Sequence, residues 1–142
     1  MIKADLHTHT IFSKDSLSHV EDVLAAAMKR GMGAIAITDH DGIEGAIEAQ
    51  NIARKRRLPL QVIVGEEVRT DDGDLLAYFV KERIAPGKLS DVLAEVKKQK
   101  AVCSGLIHKA AELSNRAIMI WTCGMMVMPE SIPPIFCGNI TR

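Results

Sequence analysis

The sequence predicts an α/β fold of mostly parallel strands with helices outside, and three observations carry that reading. Short apolar runs recur about every 30 residues, at 2–6, 34–38 and 60–64. Segments of helical periodicity lie between them, which is the signature of parallel βαβ units. Each apolar run also gives way to a polar knot: His7-Thr8-His9-Thr10, then Thr38-Asp39-His40-Asp41, then Glu66-Glu67. Ligands of parallel α/β sheets gather at the carboxyl ends of the strands, where successive βα loops converge.

Taken in order, Ile2, Ala4 and Leu6 alternate with Lys3 and Asp5 and predict a first strand. Ser18-His19-Val20-Glu21 has the form of a capping box, so a helix is predicted from Ser18, with Gly31 suited to the left-handed residue that ends it. Val20, Val23, Leu24, Ala27 and Met28 supply its apolar stripe. A second strand covers 34–38. Asp41-Gly42-Ile43-Glu44 offers the cap of a second helix, which runs to about residue 57 before Pro59 interrupts. The third strand is 60–64. Residues 68–70 and 75–80, joined by Thr70-Asp71-Asp72-Gly73, read as a hairpin on the sheet edge. A third helix is predicted over 90–98, after Pro86-Gly87, and a further strand over 101–107.

Beyond residue 100 the character changes. Only five of the 36 charged side chains lie there, together with all three cysteines and the single tryptophan. Residues 108–116 can form a helical turn or two. From 118 onward no period is evident, and Pro129, Pro133 and Pro134 oppose a regular ending.

At 142 residues the chain has the length of one domain, able to bury about two-thirds of its unfolded surface. Net charge is zero, so no global field draws it to nucleic acid or an anionic membrane. The basic run Arg54-Lys55-Arg56-Arg57 reads as charges complementing the end of a helix and facing water. Three irregularly spaced cysteines argue against a disulfide framework and for a reducing, cytoplasmic setting. The longest apolar stretch, residues 118–128, is well short of the ~20 residues of a membrane span. No Gly-rich phosphate loop, nucleophile elbow or dinucleotide fingerprint occurs, so serine nucleophiles and nucleotide cofactors have no support.

The polar knots point to a metal. Two imidazoles on alternate residues of an extended segment point the same way, and neutral imidazole is the commonest metal ligand. With His40 and Glu67 from the next two strands, His7 and His9 make a constellation on one rim. Asp39 either orients His40 or caps the following turn. Glu66, alternating with Glu67, is predicted to face solvent, and His19 to be an ordinary surface residue.

Asp5-Leu6-His7-Thr8-His9, Thr38-Asp39-His40-Asp41 and Gly65-Glu66-Glu67, in this order and spacing and followed by Leu75-Leu76-Ala77-Tyr78-Phe79, resemble the PHP family, the polymerase and histidinol phosphatase domains. The likeness extends over about residues 2–100 and is to the small stand-alone PHP phosphoesterases. The resemblance implies a distorted (β/α) barrel with two or three divalent ions, of Zn, Mn or Fe, at the strand ends. It makes His7 and His9 ligands of the first ion, Glu67 the bridge to the second, and Asp15 and His40 ligands of the third. It further implies hydrolysis of a small phosphorylated substrate, a phosphomonoester or short nucleotide, by metal-activated water. Clustered cations suit that chemistry because they neutralise phosphate oxygens and lower the pKa of water.

The chain departs from the family pattern in two places. Gly73-Asp74-Leu75-Leu76 carries aspartate where the family commonly has histidine. His108 falls near a later family ligand, but Lys109 replaces the usual proline and no histidine follows. The expectation is therefore a partial PHP-type barrel with C-terminal units missing or altered: PHP-like units over 1–100, and a divergent apolar tail over 101–142, in the same domain or partly disordered, as in a truncated or frameshifted product. Fewer ions than the family holds would follow. The alternative is a catalytically incomplete remnant that binds metal or self-associates as a homo-oligomer through an exposed sheet edge.

Overall fold

A computed structural model describes residues 2–107. The expectations for His108, for the helical turn at 108–116 and for the tail with Trp121, Cys123 and Cys137 lie outside the described residues. Five strands, β1 (Ala4–Thr8), β2 (Ala34–Ile37), β3 (Gln61–Thr70), β4 (Gly73–Tyr78) and β5 (Val102–Ile107), form one sheet in sequence order. The sheet curls into a half-barrel. β1, β2 and β3 are parallel, and β4 is antiparallel to both β3 and β5, so four of the five strands share one direction.

Helices α1 (Val20–Lys29), α2 (Glu44–Lys55) and α3 (Leu89–Lys98) supply the rest. The predicted stripe of α1 buries Val20, Val23, Leu24 and Ala27 against Ala46, Ala49 and Ala53 of α2 and against Ile35, Ile37 and Val62 of the sheet. Val92 and Val96 of α3 pack with Val68, Leu75, Ala77 and Ile84 in a second cluster. Ala36, Ile63, Leu76 and Tyr78 line the opposite, inner face. Truncating a side chain as enclosed as Leu24, 1% exposed, costs about 2–5 kcal/mol.

Three boundaries differ from the expectation, each for a physical reason. Ser18 does not cap α1: its carbonyl accepts the Ile11 N–H at 2.8 Å and closes the preceding loop, so His19 takes the N-cap position without a side-chain bond. Asp41 does not cap α2: it adopts φ 52°, and its carboxylate receives the Arg69 guanidinium at 2.8 Å, so the helix starts at Glu44. Acidic residues in both first turns complement the helix dipoles instead.

The third difference matters most for function. Residues 60–64, Glu66-Glu67 and 68–70 are one ten-residue strand, whose first half pairs with β2 and whose second half pairs with β4. Glu67 therefore sits within a strand, and the hairpin that follows is interior, with β5 outside it. Gly65 is needed at the changeover. A Cβ there would lie 2.8 Å from the Thr38 methyl and 2.9 Å from the Ala77 carbonyl. Glu66 is also fully buried rather than solvent-facing: it does alternate with Glu67, but both faces of the sheet are covered.

All three helices end alike. After α1, Gly31 N–H meets Met28 O and Met32 N–H meets Ala27 O, with Gly31 at φ 69°. The same pair of bonds follows α2 around Arg57 and α3 around Lys100, at φ 52° and 56°. This is the Schellman motif, with glycine used only the first time.

Candidate metal centre

The centre is assembled from three strand ends and one loop. In β1, Asp5 pairs with Ile35 and Thr8 with Ile37, so Leu6 and His7 stand together opposite the single Ala36. Such a bulge re-aims side chains. Here Leu6 joins the inner apolar cluster while His7 turns to Glu67. His9 follows directly after β1. His40 lies three residues past β2 but extends its pairing through a parallel bridge to Glu67, with Asp41 N–H on Glu67 O at 3.0 Å and Glu67 N–H on Asp39 O at 3.1 Å. That bridge brings a mid-strand glutamate level with the ends of β1 and β2.

The predicted residues converge. Nε2 of His7 and Nε2 of His9 each lie 2.8 Å from Glu67 Oε2 and 3.0 Å from one another. His40 Nε2 is 3.8 Å from the same oxygen and 3.4 Å from Asp15 Oδ2. Asp15 Oδ2 is 2.9 Å from His9 Nδ1, so His9 faces a carboxylate through each ring nitrogen. Glu67 is 3% exposed while His7 is 42% exposed, which makes the His7 side the open one.

Electrostatics follow the geometry. Burial pushes the Glu67 carboxyl up, but hydrogen bonds from His9 and His7 and the nearby His40 pull it further down, to a net position below the usual range. Asp15 is lowered to about 2, first by the Ser13 hydroxyl and then by His9. The bond to Glu67 raises His9, burial opposes it, and the Asp15 contact adds to the rise. Carboxylates held ionised beside imidazoles are what a cation site requires.

Some roles went unread in the sequence. Ser13, buried, donates to Asp15 Oδ1 at 2.6 Å and accepts the His40 N–H at 3.3 Å. Only its place in a polar loop marked it. Asp39 neither orients His40 nor caps a turn: its two oxygens take the Thr10 N–H at 2.6 Å and the Thr10 hydroxyl at 2.7 Å, fixing the loop after β1 to the loop after β2. Gly45, at the start of α2, lets that tie sit against the helix. A Cβ on it would run into Asp39 Oδ2, Thr10 Oγ1 and the Phe12 ring.

The donor set fits divalent metal. Two Nε2 atoms at 3.0 Å, sharing one carboxylate oxygen, place lone pairs or protons against each other unless a cation or a shared proton lies between. Nearby, Asp74 Oδ1 is buried and has no hydrogen-bond partner among the described residues. His7, His9 and Glu67; His9, Asp15 and His40; and His40, Glu67 and Asp74 each bring three ligand atoms within 4.8 Å of one another.

The PHP domain family model matches residues 5–120. The chain belongs to the PHP domain family. Among PHP relatives, an uncharacterized protein of Methanocaldococcus jannaschii is 30% identical over 109 residues, 69% of this chain and 63% of that protein. An error-prone DNA polymerase of Aromatoleum aromaticum is 34% identical over 91 residues, 63% of this chain but 8% of the polymerase. A two-domain protein of Bacteroides vulgatus, described as containing a predicted PHP-like metal-dependent phosphoesterase, superposes with a TM-score of 0.63 at 25% identity, over 72% of this chain and 34% of that one. The chain thus spans under two-thirds of each of these relatives. No helix among the described residues is long and apolar enough to cross a membrane.

Proposed function

We propose that the chain is a metal-dependent phosphoesterase that hydrolyses a phosphomonoester or a short nucleotide in the cytoplasm. One observation carries this: His7 Nε2 and His9 Nε2 both lie 2.8 Å from Glu67 Oε2, at the open rim of the half-barrel. The metal-dependent phosphoesterase description of the Bacteroides neighbour supports the reaction class, and the irregular spacing of the three cysteines supports the compartment.

His7, His9, Asp15, His40 and Glu67 would hold the ions, and Zn, Mn or Fe would suit this mixture of imidazole and carboxylate. Bound divalent cations supply charge neutralisation for the phosphate oxygens and a lowered pKa for water. The chain's own residues do the rest. Asp15 fixes the His9 ring through Nδ1, so that Nε2 keeps its lone pair directed at the site. Ser13 fixes Asp15. Glu67, with two carboxylate oxygens, would offer a ligand atom to more than one cation. Its burial removes competing water, whereas the exposed flank of His7 leaves the approach for a substrate.

The test is hydrolysis of an aryl phosphate by the purified chain with added Mn²⁺ or Zn²⁺, alongside elemental analysis. Two bound equivalents and activity that disappears in a His7→Ala, His9→Ala variant are expected. Activity equal in parent and variant refutes the reading.

A further inference from the structure

An anion approaching this rim meets carboxylates. Asp15, Asp41, Glu67 and Asp74 all stand at it, and a chain of zero net charge has no wider field to offset them. Among the described residues, the five strands carry a single lysine or arginine, Arg69 of β3. It lies two residues past Glu67 and therefore on the same face. The register agrees: Arg69 stands opposite Asp74, and Glu67 opposite Leu76, whose side chain belongs to the inner cluster.

We propose that Arg69 is a substrate-binding residue whose guanidinium holds the phosphoryl oxygens of the substrate at the mouth of the centre. This rests on the reading of the rim as the site of phosphoester hydrolysis. Two observations point to it. The guanidinium is anchored at the rim without being enclosed: Asp41, the residue after His40, takes one terminal nitrogen at 2.8 Å and the Arg69 backbone N–H at 3.3 Å, yet 47% of the Arg69 side chain stays exposed. It is also held away from its cross-strand neighbour, since Asp74 Oδ1 is buried and has no hydrogen-bond partner among the described residues. A guanidinium that served to neutralise the strand pair would turn to that oxygen. This one is tethered beside His40 instead.

The chemistry suits a phosphate. Guanidinium is a planar fork of N–H donors that meets two phosphate oxygens at once and stays charged at any working pH. With Asp41 engaging one nitrogen, the remaining donors serve a second anion. Because Asp41 already restrains the side chain, less rotamer freedom is lost when the phosphate arrives.

The full-length chain is loaded with Mn²⁺, and binding of inorganic phosphate is read by calorimetry beside KM and kcat for an aryl phosphate. Arg69→Met is expected to keep the parent's metal content and to weaken phosphate about 10–100-fold, the usual cost of losing a hydrogen bond to a charged group, with KM rising by more than kcat falls. Arg69→Gln carries the same expectation and serves if the methionine variant does not fold. Arg69→Lys keeps the charge without the fork and should recover part of the loss. Arg54→Met, an equal charge change at the far end of α2, should bind phosphate like the parent. Phosphate held equally by the parent and the uncharged Arg69 variants overturns the proposal. An equal loss in Arg54→Met overturns it too, as does loss of bound metal in Arg69→Met. A parent that hydrolyses the ester, with phosphate binding and KM both indifferent to Arg69, overturns this inference and leaves the reaction standing. Phosphate binding that depends on Arg69, in a chain that hydrolyses no ester, supports the inference and overturns the reaction.

Discussion

Glu66 and Glu67 are neighbours on one strand, both buried, and they live in opposite chemical worlds. Glu67 points to the inner face, where imidazoles of His7, His9 and His40 surround it and hold it below the usual carboxylate range. Glu66 points to the helix side, beside Val64 and Val68, where it accepts one backbone N–H, from Ile84 at 2.9 Å. Its other oxygen has no hydrogen-bond partner among the described residues, and burial pushes its pKa up to about 7 despite that N–H and the nearby Arg83. Desolvation acts on both residues. What separates them is the number of positive or potentially positive groups within reach, so charge on the inner face and neutrality on the outer face follow from the neighbours rather than from burial.

The largest expected effect tests the inner half of that contrast. Glu67→Gln keeps the shape of the side chain but removes the charge and the bridging capacity. Loss of at least one bound equivalent in elemental analysis is expected, with aryl phosphate hydrolysis down roughly 10³-fold or more, since metal charge stabilisation is worth several kcal/mol. Full activity in this variant would break the comparison outright.

The outer half is tested by stability against pH. Because the folded pKa of Glu66 is raised, its penalty is absent below about pH 4.5, grows as pH rises, and is complete above about pH 7. A shift of that size corresponds to roughly 3 kcal/mol, less whatever the glutamine amide costs when buried. Glu66→Gln should therefore raise the denaturation midpoint at pH 8 and leave it unchanged or slightly lowered at pH 4.5. Equal effects of the variant at both pH values would show that Glu66 is not held neutral.

These two glutamates also show what the sequence could and could not convey. Alternation assigned them to opposite faces, and the polar knots after each apolar run assigned His7, His9, His40 and Glu67 to one rim, because those signals are local. Whether the second face of the sheet is covered is a tertiary fact set by α3 and the segment around Ile84, so Glu66 was misread as exposed. The caps failed for two reasons. Ser18 and Asp41 have side chains that suit N-caps, but the Ser18 backbone carbonyl closes the preceding loop by accepting the Ile11 N–H, and the Asp41 carboxylate goes to the distant Arg69. The role of Asp39 was hidden because its partner, Thr10, lies 29 residues away on the neighbouring loop.

A third variant sharpens the link between helix and rim. Glycine within a helix ordinarily costs about 0.5–1 kcal/mol relative to alanine, so Gly45→Ala in α2 would be expected to stabilise on propensity alone. The added methyl would collide with Asp39 Oδ2 and Thr10 Oγ1, which are buried and bonded to each other. Overpacking of this kind costs about 1–3 kcal/mol, so the net sign should reverse. Urea denaturation would read the loss of stability, and bound metal should fall too, because the loop carrying His9 and Asp15 would have to move. A stabilised, metal-replete Gly45→Ala chain would mean that α2 has slack against the rim.

The smallest effects belong to the helix ends, where no site residue is involved and only backbone conformation is at stake. Gly31, Arg57 and Lys100 occupy equivalent left-handed positions in three Schellman motifs. A side chain costs about 1–2 kcal/mol in that conformation, partly offset by the smaller entropy loss of a non-glycine chain on folding. Nothing lies within 4 Å of a Cβ built on Gly31, so Gly31→Ala should destabilise by roughly 1 kcal/mol through conformation alone. Lys100→Gly should do the reverse, by about 0.5–1 kcal/mol, and neither variant should alter metal content. Because the three motifs share one hydrogen-bond pattern, opposite signs at Gly31 and Lys100 in chemical denaturation would isolate backbone strain from packing, and equal signs would show that side-chain contacts at one of these ends outweigh it.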